Sequence, residues 1–170
     1  MCNIPIYRYI VNPIKKFQLR PRLPKFCYTK NTMADTPKFL YHGTVTANIE
    51  EFEPRKRFTP GNAENVPPRI YATDRPVFAV MHAFPWSSDE GIDIVERHGK
   101  LYLQVPEQLK KRLDQPIYIY KLNGDSFVLT EEEESGNTYH SEKPKIPESV
   151  ESFNSVTEAI HHYGGMVEFI

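Results

Sequence analysis

Fifteen prolines are scattered, rather than clustered, along these 170 residues. Each removes a backbone donor and fixes φ, which suits loops, edge strands and first helical turns but disrupts helix interiors. A helical bundle is therefore disfavoured, and short strands joined by many loops are expected. The length fits one domain and leaves no room for a second full core. A content of 39% hydrophobic and 25% charged residues is that of an ordinary soluble globular chain. No run approaches the roughly 18 apolar residues of a membrane-spanning helix, so no membrane association is expected.

Charge divides the chain unevenly. Residues 1–32 carry Arg8, Lys15, Lys16, Arg20, Arg22, Lys25 and Lys30 and no acid. Residues 33–170 then hold 14 basic and 22 acidic groups, a net of −8. An acidic body does not favour broad contact with nucleic acid, which leans on phosphate neutralisation, although the basic segment could supply such contact alone. Pro5, Pro13, Pro21 and Pro24 break any long amphipathic helix in that segment, and it has no apolar stretch of secretory length. We expect 1–32 to be a basic, disordered extension, with a mitochondrial transit segment second and a nucleic-acid arm third. The body, 33–170, is expected to be a single domain opening at Met33. Cys2 and Cys27 both fall in the extension, which argues against a disulfide framework or a cysteine-based zinc site in the body. That usage is compatible with a reducing, cytoplasmic compartment.

The body reads as strands with a few short helices. "KFLYHGT", "RIYAT", "KLYLQVP", "QPIYIYKL", "DSFVLT", "TYHS" and "MVEFI" are strand candidates. Ile49 and Phe52 in "NIEEFEP" suit one helical turn, and residues 55–68 form a polar loop. "DRPVFAVMHAF" places Val77, Val80, Met81 and Phe84 at helical spacing, with Asp74 as N-cap and Pro76 in the first turn. "EQLKKRL" and "SVTEAIHHYGG" are two more short helices, the latter ended by Gly164 and Gly165. The class is α+β, without the alternation of a doubly wound parallel sheet.

Two short motifs carry the chemistry, "YHGT" at Tyr41–Thr44 and "IYAT" at Ile70–Thr73. His42 can donate one ring hydrogen bond and accept another. Gly43 lacks a Cβ and lets a ligand approach the backbone. Tyr71 offers an aromatic face for a flat heterocycle. The set suits a ligand with a ribose hydroxyl and a planar amide ring.

In their order and spacing these motifs resemble the ADP-ribosyltransferase superfamily, and the small rifampin ADP-ribosyltransferases within it, over roughly residues 38–155. The resemblance implies an ADP-ribosyltransferase-like fold of short antiparallel strands and a reaction that transfers ADP-ribose from NAD and releases nicotinamide. NAD would serve as co-substrate, without a metal, and the acceptor (protein, nucleic acid, small molecule or water) is left open. His42 would hold the ribose and adenylate side, and Tyr71 would stack on nicotinamide. Gly43, Thr44, Ala72 and Thr73 would complete the binding corner, with Thr44 and Thr73 bracing His42 and Tyr71. "TYHSEKP" resembles the late Tyr-x-Ser element, which adds Ser141.

The chain departs from the family at the late strand. Many members carry a Glu there, where negative charge stabilises the oxocarbenium-like centre left by nicotinamide. Here the matching position falls near Asn137 or Thr138. Asp125, Glu142 and the Glu131–Glu134 run are the substitutes, the run reading as a solvated loop. The departure keeps open a 2′-phosphotransferase-like relative and a catalytically inactive NAD- or nucleotide-binding module. His82 and His98 have no partner spacing, His161 and His162 point to different helix faces, and no dinucleotide or phosphate-loop glycine pattern occurs.

Overall fold

A computed structural model describes residues 36–56, 67–131 and 137–170, all within the unit Ala34–Ile170. The expected extension, much of the polar loop and most of the acidic run lie outside the described residues.

The class is α+β. Strands β1 (Phe39–Thr44), β2 (Ile70–Thr73), β5 (Ile117–Asn123), β6 (Val128–Glu131), β7 (Thr138–Ser141) and β8 (Ser149–Phe153) form one antiparallel sheet in the order β6-β7-β2-β1-β5-β8. Strands β3 (Asp93–Arg97), β4 (Lys100–Val105) and β9 (Met166–Phe169) form a second, in which β4 and β9 run parallel. Helices α1 (Pro76–Met81) and α2 (Val156–His162) are short, and Glu107–Leu113 is 3₁₀. Among the described residues no helix is long and apolar enough to cross a membrane.

Side-chain alternation gives the large sheet two buried faces. Ile117 and Ile119 enter a core built with α1, α2 and β4, whereas Tyr120 and Leu122 enter a second core with Leu40, Ile70, Ala72 and Phe52. Tyr41 packs toward the first core.

Several expectations need correction. Ile49 and Phe52 form no helical turn. Phe52 instead exchanges backbone hydrogen bonds with Lys145 at 2.7 and 3.0 Å, and the Ile49 amide donates to the Tyr120 hydroxyl at 3.1 Å. Burying Phe52 and satisfying its backbone in a bridge outweighs a single isolated helical turn, whose nucleation is costly. Helix α1 is buried from Val77 through Met81, so it is covered all round rather than along one stripe. Its N-cap is Arg75, with no side-chain cap, because the Asp74 carboxylate is drawn to Asn137. Strands β3 and β8 had no counterpart in the sequence reading. Gly164 does close α2, at φ +77, where an L side chain would be strained.

Candidate functional site

Strands β1 and β2 are neighbours, yet among the described residues their register is a single pair, Tyr41↔Thr73. By contrast β1 pairs with β5 over six positions and β2 with β7 over four. Past Tyr41 a side chain takes over from the backbone ladder, with His42 Nδ1 2.7 Å from the Tyr71 carbonyl oxygen.

That contact assigns a proton to Nδ1 of the imidazole. A carbonyl only accepts, so Nδ1 carries the proton and donates. Burial lowers the pKa of His42 below 6.5, the Tyr71 carbonyl partly opposes this, and the Arg55 charge adds to the lowering. The ring is therefore neutral near pH 7, which leaves Nε2 as a hydrogen-bond acceptor suited to a hydroxyl. Phe52 fixes the ring from its edge, with centroids 4.8 Å apart at 62°, and Tyr120 in turn packs on Phe52 at 5.1 Å and 81°. The Tyr120 hydroxyl donates to the Thr46 carbonyl at 3.2 Å, which ties the segment after β1 to the sheet.

Alternation places the His42 ring on the Phe52 face of the sheet and the Tyr71 ring on the α1 face. A cavity lies on each side. The α1-side cavity, about 410 Å³, is lined by Tyr41, Gly43, Tyr71, Thr73, Phe78, His82 and Thr138 among others. The other, about 300 Å³, is lined by Thr44, Thr46, Phe52, Arg55 and Arg69 among others. His42 and Tyr71 line both.

The structure brings together His42, Gly43, Tyr71, Ala72 and Thr73 at the first cavity and puts Thr44 at the second. The reason for Gly43 differs from the one expected. A Cβ there would sit 2.1 Å from the Ala79 carbonyl oxygen, so the glycine is needed for α1 to pack on β1. The two threonines differ as well. The Thr44 hydroxyl accepts from the Thr46 amide at 3.2 Å and the Thr73 hydroxyl from the Arg75 amide at 3.3 Å, whereas the brace on His42 is the Tyr71 carbonyl.

Ser141, Asp125 and Glu142 line neither cavity. Ser141 is fully buried and closes a local turn, its hydroxyl bonding the Lys143 amide and carbonyl at 3.1 Å each. Asp125 is exposed in the turn before β6, and Glu142 pairs with Arg69 at 3.5 Å.

Two residues at or beside the first cavity were not read as such from the sequence. Asp74, next to Thr73, accepts from the Asn137 amide at 3.0 Å and from its side-chain amide at 2.8 Å. A carboxylate thus stands just past the end of β2, beside the start of β7. His82 lines the first cavity beside Phe78, with centroids 4.5 Å apart, and stacks on Trp86 at 5.6 Å and 19°. The i, i+4 spacing of Phe78 and His82 was the available signal. Among the described residues no group of three or more His, Cys, Asp or Glu side chains is disposed to hold a metal ion. Comparison with protein-family models, curated proteins and solved structures finds no match to this chain.

Proposed function

We propose that the chain binds NAD where β1 and β2 part and transfers its ADP-ribosyl group to an acceptor nucleophile, on an ADP-ribosyltransferase-like fold. The observation that carries this reading is the placement of His42 and Tyr71, joined at 2.7 Å and each lining both cavities. A ligand of two unlike ends fits such a site. Its planar nicotinamide stacks on Tyr71 in the cavity of about 410 Å³, a size usual for small-molecule sites. Its ribose hydroxyl donates to His42 Nε2.

In the reaction the nicotinamide–ribose bond breaks and its electron pair returns to the ring, so nicotinamide leaves neutral. Positive charge builds on the ribose. The acceptor's lone pair forms the new bond, and the acceptor loses its proton to solvent or a base. Catalysis of this kind is mainly positioning and charge stabilisation. None of Asp74, Asp125 and Glu142 lines a cavity, but we assign the stabilising carboxylate to Asp74, because Thr73 beside it and Thr138 beside its partner both line the first one.

A second reading is an NAD- or nucleotide-binding module without turnover. It is favoured by Asn137 and Thr138 standing where the family carries Glu. Nicotinamide release from NAD by the full chain, beside His42→Ala and Tyr71→Ala, separates the readings. Release that is lost in both variants supports transfer. Binding without release, whichever acceptor is offered, supports the module, and unchanged NAD affinity in both variants removes NAD from the site.

A further inference from the structure

The second cavity carries an unusual charge arrangement. Arg55 and Arg69 exchange backbone hydrogen bonds at 3.2 and 3.0 Å, so they stand directly opposite one another and their side chains leave on the same side. Like charges in that relation repel. Glu142 answers Arg69 at 3.5 Å, but among the described residues no carboxylate pairs with Arg55. The Arg69 atom that faces Glu142 is its buried Nε, at a separation that makes an ion pair and no hydrogen bond. Of the other charged groups lining the cavity, Lys56 adds to the positive side, and Glu51 and Glu53, both exposed, oppose it.

We infer that this cavity takes a phosphate-bearing group, held by the guanidinium groups of Arg55 and Arg69. One guanidinium fork satisfies a carboxylate, whereas two side by side offer more donors and charge than a carboxylate uses and match a phosphate or diphosphate. An arriving anion offsets the repulsion between the arginines and gives the Arg55 guanidinium a counter-charge. Continuity adds a second argument. His42 and Tyr71 line both cavities, so a ligand stacked on Tyr71 can extend past His42 to the arginines. The phosphate then belongs either to NAD itself, which rests on the function proposed above, or to a phosphorylated acceptor.

The test is calorimetric titration of the full chain and of Arg55→Gln, Arg69→Gln and Arg69→Lys with NAD, ADP-ribose, pyrophosphate and nicotinamide riboside, which has no phosphate. Arg55 is exposed, so its variant leaves the fold intact. Each Gln variant is expected to weaken phosphate-bearing ligands by about 10-fold or more, the scale of a charge-assisted hydrogen bond, and to leave nicotinamide riboside unchanged. Arg69→Lys should recover part of the loss. Competition between NAD and pyrophosphate assigns the site to NAD's diphosphate, and arginine-dependent pyrophosphate binding without competition assigns it to an acceptor. Pyrophosphate binding that needs the arginines in a chain that ignores NAD would uphold the anion site while removing the proposed reaction. Affinities indifferent to both arginines, or no binding of any phosphate-bearing probe, overturn the inference.

Discussion

The Nδ1 atom of His42 lies 2.7 Å from the carbonyl oxygen of Tyr71, so the second residue of one motif is oriented by the backbone of the other. The bond fixes the ring's tautomer at a position where the two strands no longer pair through their backbones. It also makes the imidazole's state a property that can be measured.

His42 should remain neutral, protonated at Nδ1, as the pH falls through 6.5, its ordinary value. The sign for stability follows from the lowered folded-state pKa. Above 6.5 neither folded nor unfolded His42 is charged, and the full stability is present. Below it the unfolded chain takes up a proton that the folded chain refuses, so stability declines toward the folded pKa. His140 is lowered too, by burial and then by Arg69, and acts in the same direction. Nitrogen-15 shifts of the ring report the tautomer, and a His42 that titrates at or above 6.5 defeats the prediction.

Tyr71→Ala should cost about 1–3 kcal/mol of NAD affinity through loss of stacking, while Tyr71→Phe keeps the aromatic face and most of the affinity. Equilibrium titration of the two variants checks this. Equal losses in both would shift the role from the ring to the hydroxyl.

Gly43→Ala should destabilise the fold by about 1–3 kcal/mol or more, because its methyl group meets the Ala79 carbonyl oxygen 2.1 Å away and Ala83 Cβ 2.8 Å away. The obstacle is helix backbone, so no rotamer change relieves it. Urea unfolding monitored by circular dichroism gives the number, and an unchanged midpoint would show that α1 rides less closely on β1.

Asp74→Asn should lower the rate of nicotinamide release by about 100-fold or more at little cost in NAD affinity, on the scale seen when one charge-stabilising group is removed. Asn137→Ala keeps the carboxylate and the main-chain hydrogen bond to it and loses only the side-chain one, so its rate should fall less. If both variants show the same modest loss of stability and neither alters the rate, Asp74 is a strand tie and nothing more.

What could be read from the sequence follows from how locally each feature is determined. β1, β2, β5 and α2 carry their own signals, namely β-rich runs and, for α2, Ser155 before the helix and Gly164 after it. His42 and Tyr71 were legible as a pair because each sits in a compact motif. β3 was not, since its hairpin turn is His98–Gly99, with φ +53 and +75, rather than one of the usual Asn-Gly or Asp-Gly pairs. Nor was β8, an edge strand whose residues 149–152 are all exposed and which shows no alternation. Asp74 read as a helix cap because its partner, Asn137, is 63 residues away. The opposition of Arg55 and Arg69 likewise needs the folded backbone, which sets them face to face across a polar loop.

The large sheet is two three-stranded blocks, β6-β7-β2 and β1-β5-β8, joined in their backbone register at Tyr41↔Thr73. Each block is continuous within itself, so the line between them is where the described sheet has the fewest backbone rungs. A ligand seated between β1 and β2 would act as the missing rungs of that ladder. It would add to what joins the two blocks among the described residues: one backbone pair, the His42 bond, the packing of α1 and the core in which Leu40, Tyr120 and Leu122 meet Ile70, Ala72 and Tyr139. Occupancy would then appear as slower amide exchange along both strands bordering that line, including positions the ligand never touches.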